Sequence, residues 1–216
     1  MKLRKKVKRN IIILITIIVL CFIGYQVYKL INNNQTTSEV KIVNTIKEYG
    51  YNLKDSKTKK YESMFKELKK ILEEDEVDEE KYVKQISKMF IYDFYSLADK
   101  TAKTDIGGTE FIYTPILNNF ITNAQSTYYK YVESNIYNQR DQELPTVSEI
   151  EVESVDNISY EYEDKTDEEA YEVKVSWSYT NDDFDDYQQD STLTFIHEGN
   201  KLSLVELNWW LLSPYY

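Results

Sequence analysis

The chain has 216 residues, of which 42% are hydrophobic and 14% aromatic, so it can bury a core and is not an intrinsically disordered chain. Its formal net charge is −11, but the charges are unevenly distributed along the chain. Residues 1–31 hold seven of the 26 Lys and Arg residues and no acid. The remainder therefore has 19 basic and 37 acidic residues, a net charge of −18. A remainder this acidic is repelled by phosphate backbones and anionic headgroups, which excludes nucleic acid as an expected partner.

Residues 11–31 form an apolar run of 21 residues, and six basic residues precede it within residues 1–10. As an α-helix the run spans about 30 Å, the thickness of a bilayer's hydrocarbon core, and predicts a transmembrane helix. Because basic flanks stay on the cytoplasmic side, residues 1–10 are predicted to be cytoplasmic and the C-terminal part extracytoplasmic. No small-residue cleavage site follows the run, so it is interpreted as an uncleaved, single-pass anchor.

Cys21 is the only cysteine, which excludes an intrachain disulfide and a cysteine-based metal site. It lies between Leu20 and Phe22, where a lipoprotein signal would need a small preceding residue. A domain outside the cytoplasm without disulfides, in a chain rich in Ile, Asn, Lys and Tyr, is typical of a bacterial surface. We therefore expect the cell membrane of a Gram-positive-type bacterium as its location.

The chain after the anchor divides into a spacer with a short entry segment, residues 32–54, and one extracytoplasmic domain, residues 55–216. Residues 39–54 of the entry segment are ambiguous, because Val40, Val43, Ile46 and Lys47 could lie on a short helix that Tyr49-Gly50-Tyr51 then breaks. Apolar stripes of period 3.6 then predict three helices. The first covers about 57–74, and the second extends from an N-cap at Asp78 to about residue 97. The third begins at Thr114-Pro115 and ends near residue 136. A short strand is predicted at 109–113.

After Pro145 the apolar period changes from 3.6 to 2, which indicates strands. Four are predicted, at about 148–163, 171–179, 188–198 and 201–209. Glu198-Gly199-Asn200 has the composition of a tight hairpin turn, and the acidic run 161–172 is read as a charged hairpin connection. The fold class is therefore α+β, with three helices packed on a curved antiparallel sheet of four main strands.

This order of elements resembles the NTF2-like (cystatin-like) superfamily, in which a cone of helices is wrapped by a bent sheet. The final hairpin, residues 191–209, looks like the usual ending of that fold, and the resemblance covers about residues 55–210. With the anchor, the chain resembles the VirB8/TcpC-type components of bacterial conjugation and secretion machines. The resemblance implies a membrane-tethered assembly scaffold, whereas NTF2-like enzymes place an acid, histidine or tyrosine inside the cone.

Two titratable residues are candidates for catalysis. Asp93 falls on the apolar stripe of the second predicted helix, and if it is buried its pKa should rise so that it can act as a base. His197 is the only histidine, and its place beside a hairpin favours a surface residue over a catalytic one. No nucleophile elbow, phosphate-binding loop or zinc motif occurs in the sequence, so no cofactor is expected.

Two further clusters suggest binding. Asp182, Asp183, Asp185 and Asp186 could offer oxygen ligands to Ca²⁺, although their spacing lacks the D-x-D-x-D-G loop and a solvated turn is the simpler interpretation. An aromatic tail, together with Tyr128, Tyr129 and Tyr131, could supply a contact surface for a protein partner or a second copy. The members of the tail are Trp209, Trp210, Tyr215 and Tyr216.

The sequence favours a membrane-anchored, non-enzymatic scaffold or interaction domain of a conjugation, secretion or envelope complex. Its partners are then the membrane, through residues 11–31, and other proteins or further copies of the chain. Two alternatives stay open: a small-ligand binder or enzyme that uses the cone with Asp93 as its acid, and a Ca²⁺-responsive surface protein.

Overall fold

The structure is a computed structural model, and it describes residues 18–25 and 40–208. The first range is helical and exposed, and it belongs to a separate unit from residues 42–208, so each is described by itself. Within these ranges no helix has the length and apolarity to cross a bilayer. Of the predicted anchor, residues 11–31, only residues 18–25 are described.

The entry segment is a β-hairpin and not the short helix that the spacing of its apolar residues allowed. Strands β1 (Ile42–Ile46) and β2 (Tyr51–Lys54) pair antiparallel, and Gly50 sits in the turn with a φ of 72°. β-Branched residues dominate β1, and strands accommodate such side chains better than helices do. The hairpin buries Tyr51 and Leu53, which joins it to the core.

Two of the predicted helices are confirmed with shorter ends. Helix α1 (Lys59–Leu72) is capped by Thr58, whose side chain accepts the backbone N–H of Tyr61. Helix α2 (Glu79–Tyr95) is capped by Asp78, as predicted, through the backbone N–H of Lys81 at 3.0 Å. The C-terminal half of α2 is buried on every side, which makes it the central helix of the domain.

The segment between α2 and the sheet differs from its prediction. The expected strand at 109–113 is a 3₁₀ helix (Thr109–Phe111) followed by a single parallel bridge from Ile112 to Leu204. A second 3₁₀ turn (Thr114–Ile116) leads into helix α3 (Leu117–Ser126), ten residues short of the predicted end. The hydroxyls of Ser126 and Thr127 donate back to the carbonyl of Asn123, and such local bonds compete with a continuing helix.

Four antiparallel strands form the sheet, in the order β3-β4-β5-β6. Strands β3 (Val147–Tyr162) and β4 (Lys165–Tyr179) form a long hairpin, so the acidic run 161–172 is mostly strand rather than connection. Strands β5 (Asp190–Glu198) and β6 (Lys201–Leu207) meet at the predicted turn, where Gly199 has a φ of 64°. A register shift between Val152 and Ser154 marks an irregularity in the pairing of β3 with β4.

Helix α2 packs against α1 and against β3 and β4, so the helices lie on the four-stranded antiparallel sheet. The predicted α+β class is therefore confirmed. Aromatic rings fill the interface: Phe94 stacks on Phe90 with centroids 5.4 Å apart, and Tyr95 lies 4.3 Å from Trp177 of β4. Many of the tyrosines are thus core residues.

Candidate functional site

Asp93 is buried near the C-terminal end of α2, with 3% of its surface exposed, and it is surrounded by cations. The ammonium of Lys57, just before α1, lies 2.6 Å from both carboxylate oxygens. Lys100, itself 4% exposed, donates to Oδ1 at 3.1 Å and to Asp99 at 2.8 Å. Asp93 therefore has a counter-charge on two sides.

The third partner of Asp93 is a glycine loop. The backbone N–H of Gly108 donates to Oδ2 at 2.7 Å, and Gly108 has a φ of 71°. A Cβ on Gly107 would lie 1.9 Å from the backbone oxygen of Asp93, so the loop can approach α2 only because residue 107 has no side chain. Tyr129 completes the contact, accepting from the N–H of Gly107 at 3.2 Å and donating to the carbonyl of Phe94 at 2.6 Å.

The expectation that burial raises the pKa of Asp93 was wrong. Burial alone would raise it, but the charges of Lys100 and Lys57, together with the hydrogen bonds from Lys57 and Gly108, lower the pKa to about 2. For Lys100, burial lowers the pKa but the charge of Asp93 outweighs it, and the pKa is raised. The group is an ion cluster at neutral pH, in which Asp93 is a poor proton acceptor.

A second, half-buried carboxylate lies nearby and was not singled out from the sequence. Glu110 accepts the hydroxyl of Tyr61 and, at 3.3 Å, the backbone N–H of Asn52. Burial raises its pKa against the opposing hydrogen bond from Tyr61. Glu110 therefore ties the β1–β2 hairpin to α1, which is a structural use of the carboxylate.

His197 is half-buried, and it connects its own strand β5 to β4 and to helix α2. Its Nδ1 and its backbone N–H both contact Oδ2 of Asp167 on β4, at 2.9 and 2.7 Å, and its Nε2 lies 3.4 Å from Glu79, the first residue of α2. Tyr171 donates to the same oxygen of Glu79 at 2.9 Å. The side chain of His197 is 24% exposed, so it is half-buried beside the hairpin and not an open surface residue. Its two carboxylate partners were not foreseen from the sequence.

The pKa shifts of His197 and Asp167 both favour a charged pair between the two side chains. Burial lowers the pKa of His197, but the hydrogen bond and charge of Asp167 and the contact with Glu79 raise it more, so it ends above its usual value of 6.5. The pKa of Asp167 is lowered, because the hydrogen bonds from His197 outweigh burial. The cluster joins α2 to the sheet through contacts that depend on the protonation of His197.

The acidic candidates are exposed. Asp182 and Asp183 begin a 3₁₀ turn (Asp182–Phe184), and the side chain of Asn181 accepts the backbone N–H of Asp183 at 3.0 Å. Asp185 and Asp186 follow it on the surface. Over residues 40–208, no three carboxylates or imidazoles are arranged to hold a metal ion. The predicted contact residues Trp209, Trp210, Tyr215 and Tyr216 lie outside the described residues.

Residues 127–142 form what we term the aromatic loop, of which the part up to about residue 136 had been predicted as helix. Arg140 holds it closed, donating to the carbonyls of Ala98 at 2.8 Å, Lys100 at 2.9 Å and Glu133 at 3.2 Å. Gln142 bonds to the backbone of residues 131 and 133. The loop presents large apolar side chains to solvent. These are Tyr131, Ile136 and Tyr137, with exposed fractions of 71%, 67% and 62%.

No protein-family model matches the chain, and neither a curated protein nor a solved structure is significantly similar to it. Its function is therefore inferred from its own residues.

Proposed function

We propose that this chain is a membrane-tethered interaction domain, anchored by residues 11–31 and working outside the cytoplasm of a bacterial cell as part of an envelope assembly. The observation that carries the proposal is the aromatic loop. Exposed large apolar side chains on a clamped backbone are typical of surfaces that bind other proteins, and Tyr is enriched at such surfaces. A loop already held by Arg140 loses little conformational entropy on binding.

The two acids that are engaged inside the domain support binding rather than catalysis. Asp93 is neutralised by Lys57 and Lys100, and Glu110 is engaged by Tyr61. Each is used inside the core, where aromatic side chains fill the space between helices and sheet. These contacts favour a scaffold over the alternative in which Asp93 serves as an acid in an open cone.

The finer fold and the biological setting belong to the same proposal. Helices on one face of an antiparallel sheet that ends in a glycine hairpin are compatible with an NTF2-like cone. The basic residues ahead of the run 11–31 support the proposed orientation. A VirB8/TcpC-type scaffold role in conjugation or secretion follows from that likeness, with protein partners or further copies as the binding targets.

Site-specific photo-crosslinking tests the binding role. A benzophenone amino acid replaces Tyr131 or Tyr137 in the full-length, membrane-bound chain, and adducts are identified by mass spectrometry. The matched control is Tyr187, which is 46% exposed and lies outside the aromatic loop. We expect a discrete protein adduct from positions 131 and 137 only. Equal labelling at position 187, or no adduct at the loop, contradicts the proposal.

The orientation has its own test. In a Cys21→Ser background, Asp183→Cys is treated in intact cells with a membrane-impermeant maleimide. Labelling without lysis supports an extracytoplasmic domain, and protection until lysis overturns it.

A further inference from the structure

Strand β3 forms one edge of the four-stranded sheet, and its outer side is open over most of its length. It is the first strand in the sheet order and pairs with β4. At its beginning the ammonium of Lys60 donates to the carbonyl of Ser148. Among residues 40–208, no hydrogen bond from outside the β3–β4 hairpin reaches the backbone of residues 149–162. Because alternate residues of an antiparallel strand direct their N–H and C=O groups away from the partner strand, this edge offers unpaired backbone groups.

The opposite edge of the sheet, at β6, is partly covered. Ile112 bridges to Leu204 there, and the N–H of Tyr113 donates to the carbonyl of Leu204 at 2.9 Å. Strand β6 has seven residues, whereas β3 has 16. At about 3.3 Å per residue, β3 is about 50 Å long. It is therefore the longer and the more open of the two edges.

The side chains along the open edge have charges of one sign. Strand β3 contains five acidic residues and no Lys or Arg, and all five acids are exposed. None of them forms an ion pair with a cation among residues 40–208. They are Glu149, Glu151, Glu153, Asp156 and Glu161. The edge is therefore a negatively charged surface whose charges the described part of the chain does not neutralise.

These carboxylates determine which kind of strand can pair with the edge. A second copy of β3 would bring carboxylates beside carboxylates, and like charges across a strand pair are unfavourable. A strand with Lys or Arg at alternate positions presents all of its charges on one face and is attracted to the edge. Glu149 and Glu151 are two residues apart and share a face of the sheet, so they have the matching spacing.

We propose that the outer edge of β3, residues 149–158, binds an extended, basic segment of a partner protein as an added strand. Backbone hydrogen bonds supply the affinity, and the pairing of Lys or Arg with the carboxylates selects the partner. The pairing of β3 with β4 shifts between Val152 and Ser154, which leaves two regular stretches, 149–152 and 154–158. Each has the length of a short strand. The surface uses no residue of the aromatic loop, so it is a second interaction surface that does not depend on the first.

Peptide binding to the full-length chain, in nanodiscs of zwitterionic lipid, tests the proposal. The probe is the fluorescently labelled peptide Lys-Val-Lys-Thr-Lys-Val-Lys-Thr-Lys, and binding is followed by fluorescence polarisation. In its matched control Pro replaces each Val and Thr, which keeps the charge and removes N–H groups that a ladder needs. We expect the control peptide to bind about tenfold more weakly or worse, because charge alone does not form a strand pair. Equal affinities of the two peptides, or no binding of the probe, overturn the proposal.

Charge reversal on the protein locates the binding surface. Glu149→Lys with Glu151→Lys alters the edge, and Asp182→Lys with Asp185→Lys makes the same change of net charge on an exposed turn. We expect the Kd of the probe to rise about tenfold in the first variant and less than about twofold in the second. A probe with Glu in place of Lys should bind the first variant more tightly than the wild-type chain. Equal losses in the two variants would show attraction to the overall charge only, and they overturn the proposal.

Amide hydrogen exchange gives a further measurement that needs no substitution in the protein. The probe should slow the exchange of outward-facing amides within residues 149–158 and leave the amides of β6 unchanged. Slower exchange confined to other parts of the chain overturns the proposal.

Discussion

The two ends of helix α2 are each held by a carboxylate, but in different surroundings. At the C-terminal end Asp93 is 3% exposed and contacts two ammonium groups and a backbone N–H within 3.1 Å. At the N-terminal end the side chain of Glu79 is 49% exposed and contacts His197 at 3.4 Å and Tyr171 at 2.9 Å. The two ends therefore differ in whether water can reach the charge that remains when its partner is lost.

A buried pair is costly to break, because the remaining charge has no solvent to stabilise it. A half-exposed pair is screened, and water replaces much of what is lost. The C-terminal end of α2 is therefore expected to hold the glycine loop to the core, and the N-terminal end to contribute a smaller, proton-dependent link to the sheet.

The largest effect is expected from Asp93→Asn. The substitution leaves Lys57 and Lys100 without their shared counter-charge, and we expect the free energy of unfolding to fall by about 3–5 kcal/mol. Chemical denaturation at pH 7 measures it. Glu79→Gln, the matched change at the other end of α2, should cost less than about 1 kcal/mol. Equal losses in the two variants would contradict the contrast between the ends.

The acid dependence of the wild-type chain sharpens this prediction. Because the pKa of Asp93 is lowered to about 2, its ion pairs contribute stability above the unfolded pKa near 3.8 and lose it as the pH falls through about 2. The stability difference between the wild-type chain and Asp93→Asn should therefore be constant between pH 5 and 7. It should shrink only in strong acid, as followed by denaturation at each pH.

Gly107→Ala tests the close approach of the glycine loop. A Cβ would lie 1.9 Å from the backbone oxygen of Asp93, so the loop must shift away from α2, at an expected cost of about 1–3 kcal/mol. Thermal denaturation measures the loss. Gly50→Ala is the control for a glycine with open space around it, although its φ of 72° gives it some strain of its own. A loss no larger than that of the control would show that the loop is not closely packed.

Tyr129→Phe removes a hydroxyl that connects the loop to α2. The N–H of Gly107 and the carbonyl of Phe94 both lose a buried partner, and we expect a loss of about 1–2 kcal/mol. Tyr131→Phe, on the same loop but 71% exposed, serves as the control and should leave the unfolding midpoint unchanged. The idea fails if the two variants have the same stability.

The smallest effect is expected at His197. Its pKa is raised in the folded state, so its contacts with Asp167 and Glu79 contribute stability that is complete below the unfolded pKa of about 6.5 and is lost as the pH rises through the folded pKa. His197→Gln should therefore cost more at pH 5.5 than at pH 8.5, by less than about 1 kcal/mol. Because it is the only histidine, its NMR titration reports the pKa directly. A pKa at or below 6.5 would contradict the prediction.

Caps, alternation and turn residues in the sequence correctly predicted the elements that depend on neighbouring residues. Asp78 was identified as the cap of α2, the alternation in β4 from residue 171 was read as a strand, and the turn at Gly199 was placed correctly. Errors arose where two local signals competed. A helical spacing was considered where the β1–β2 hairpin forms, and α3 was extended across Ser126 and Thr127, whose hydroxyls donate back to the carbonyl of Asn123.

By itself the sequence determined the α+β class, the acidic character of the domain and the apolar run at 11–31, because composition and periodicity are properties of neighbouring residues. Only the tertiary structure decided the state of the titratable groups. Asp93 was recognised on its stripe, but Lys57 lies 36 residues away, and His197 meets Glu79 across 118 residues. A pKa depends on charges within a few ångströms in space, and the chain fold alone brings those charges together.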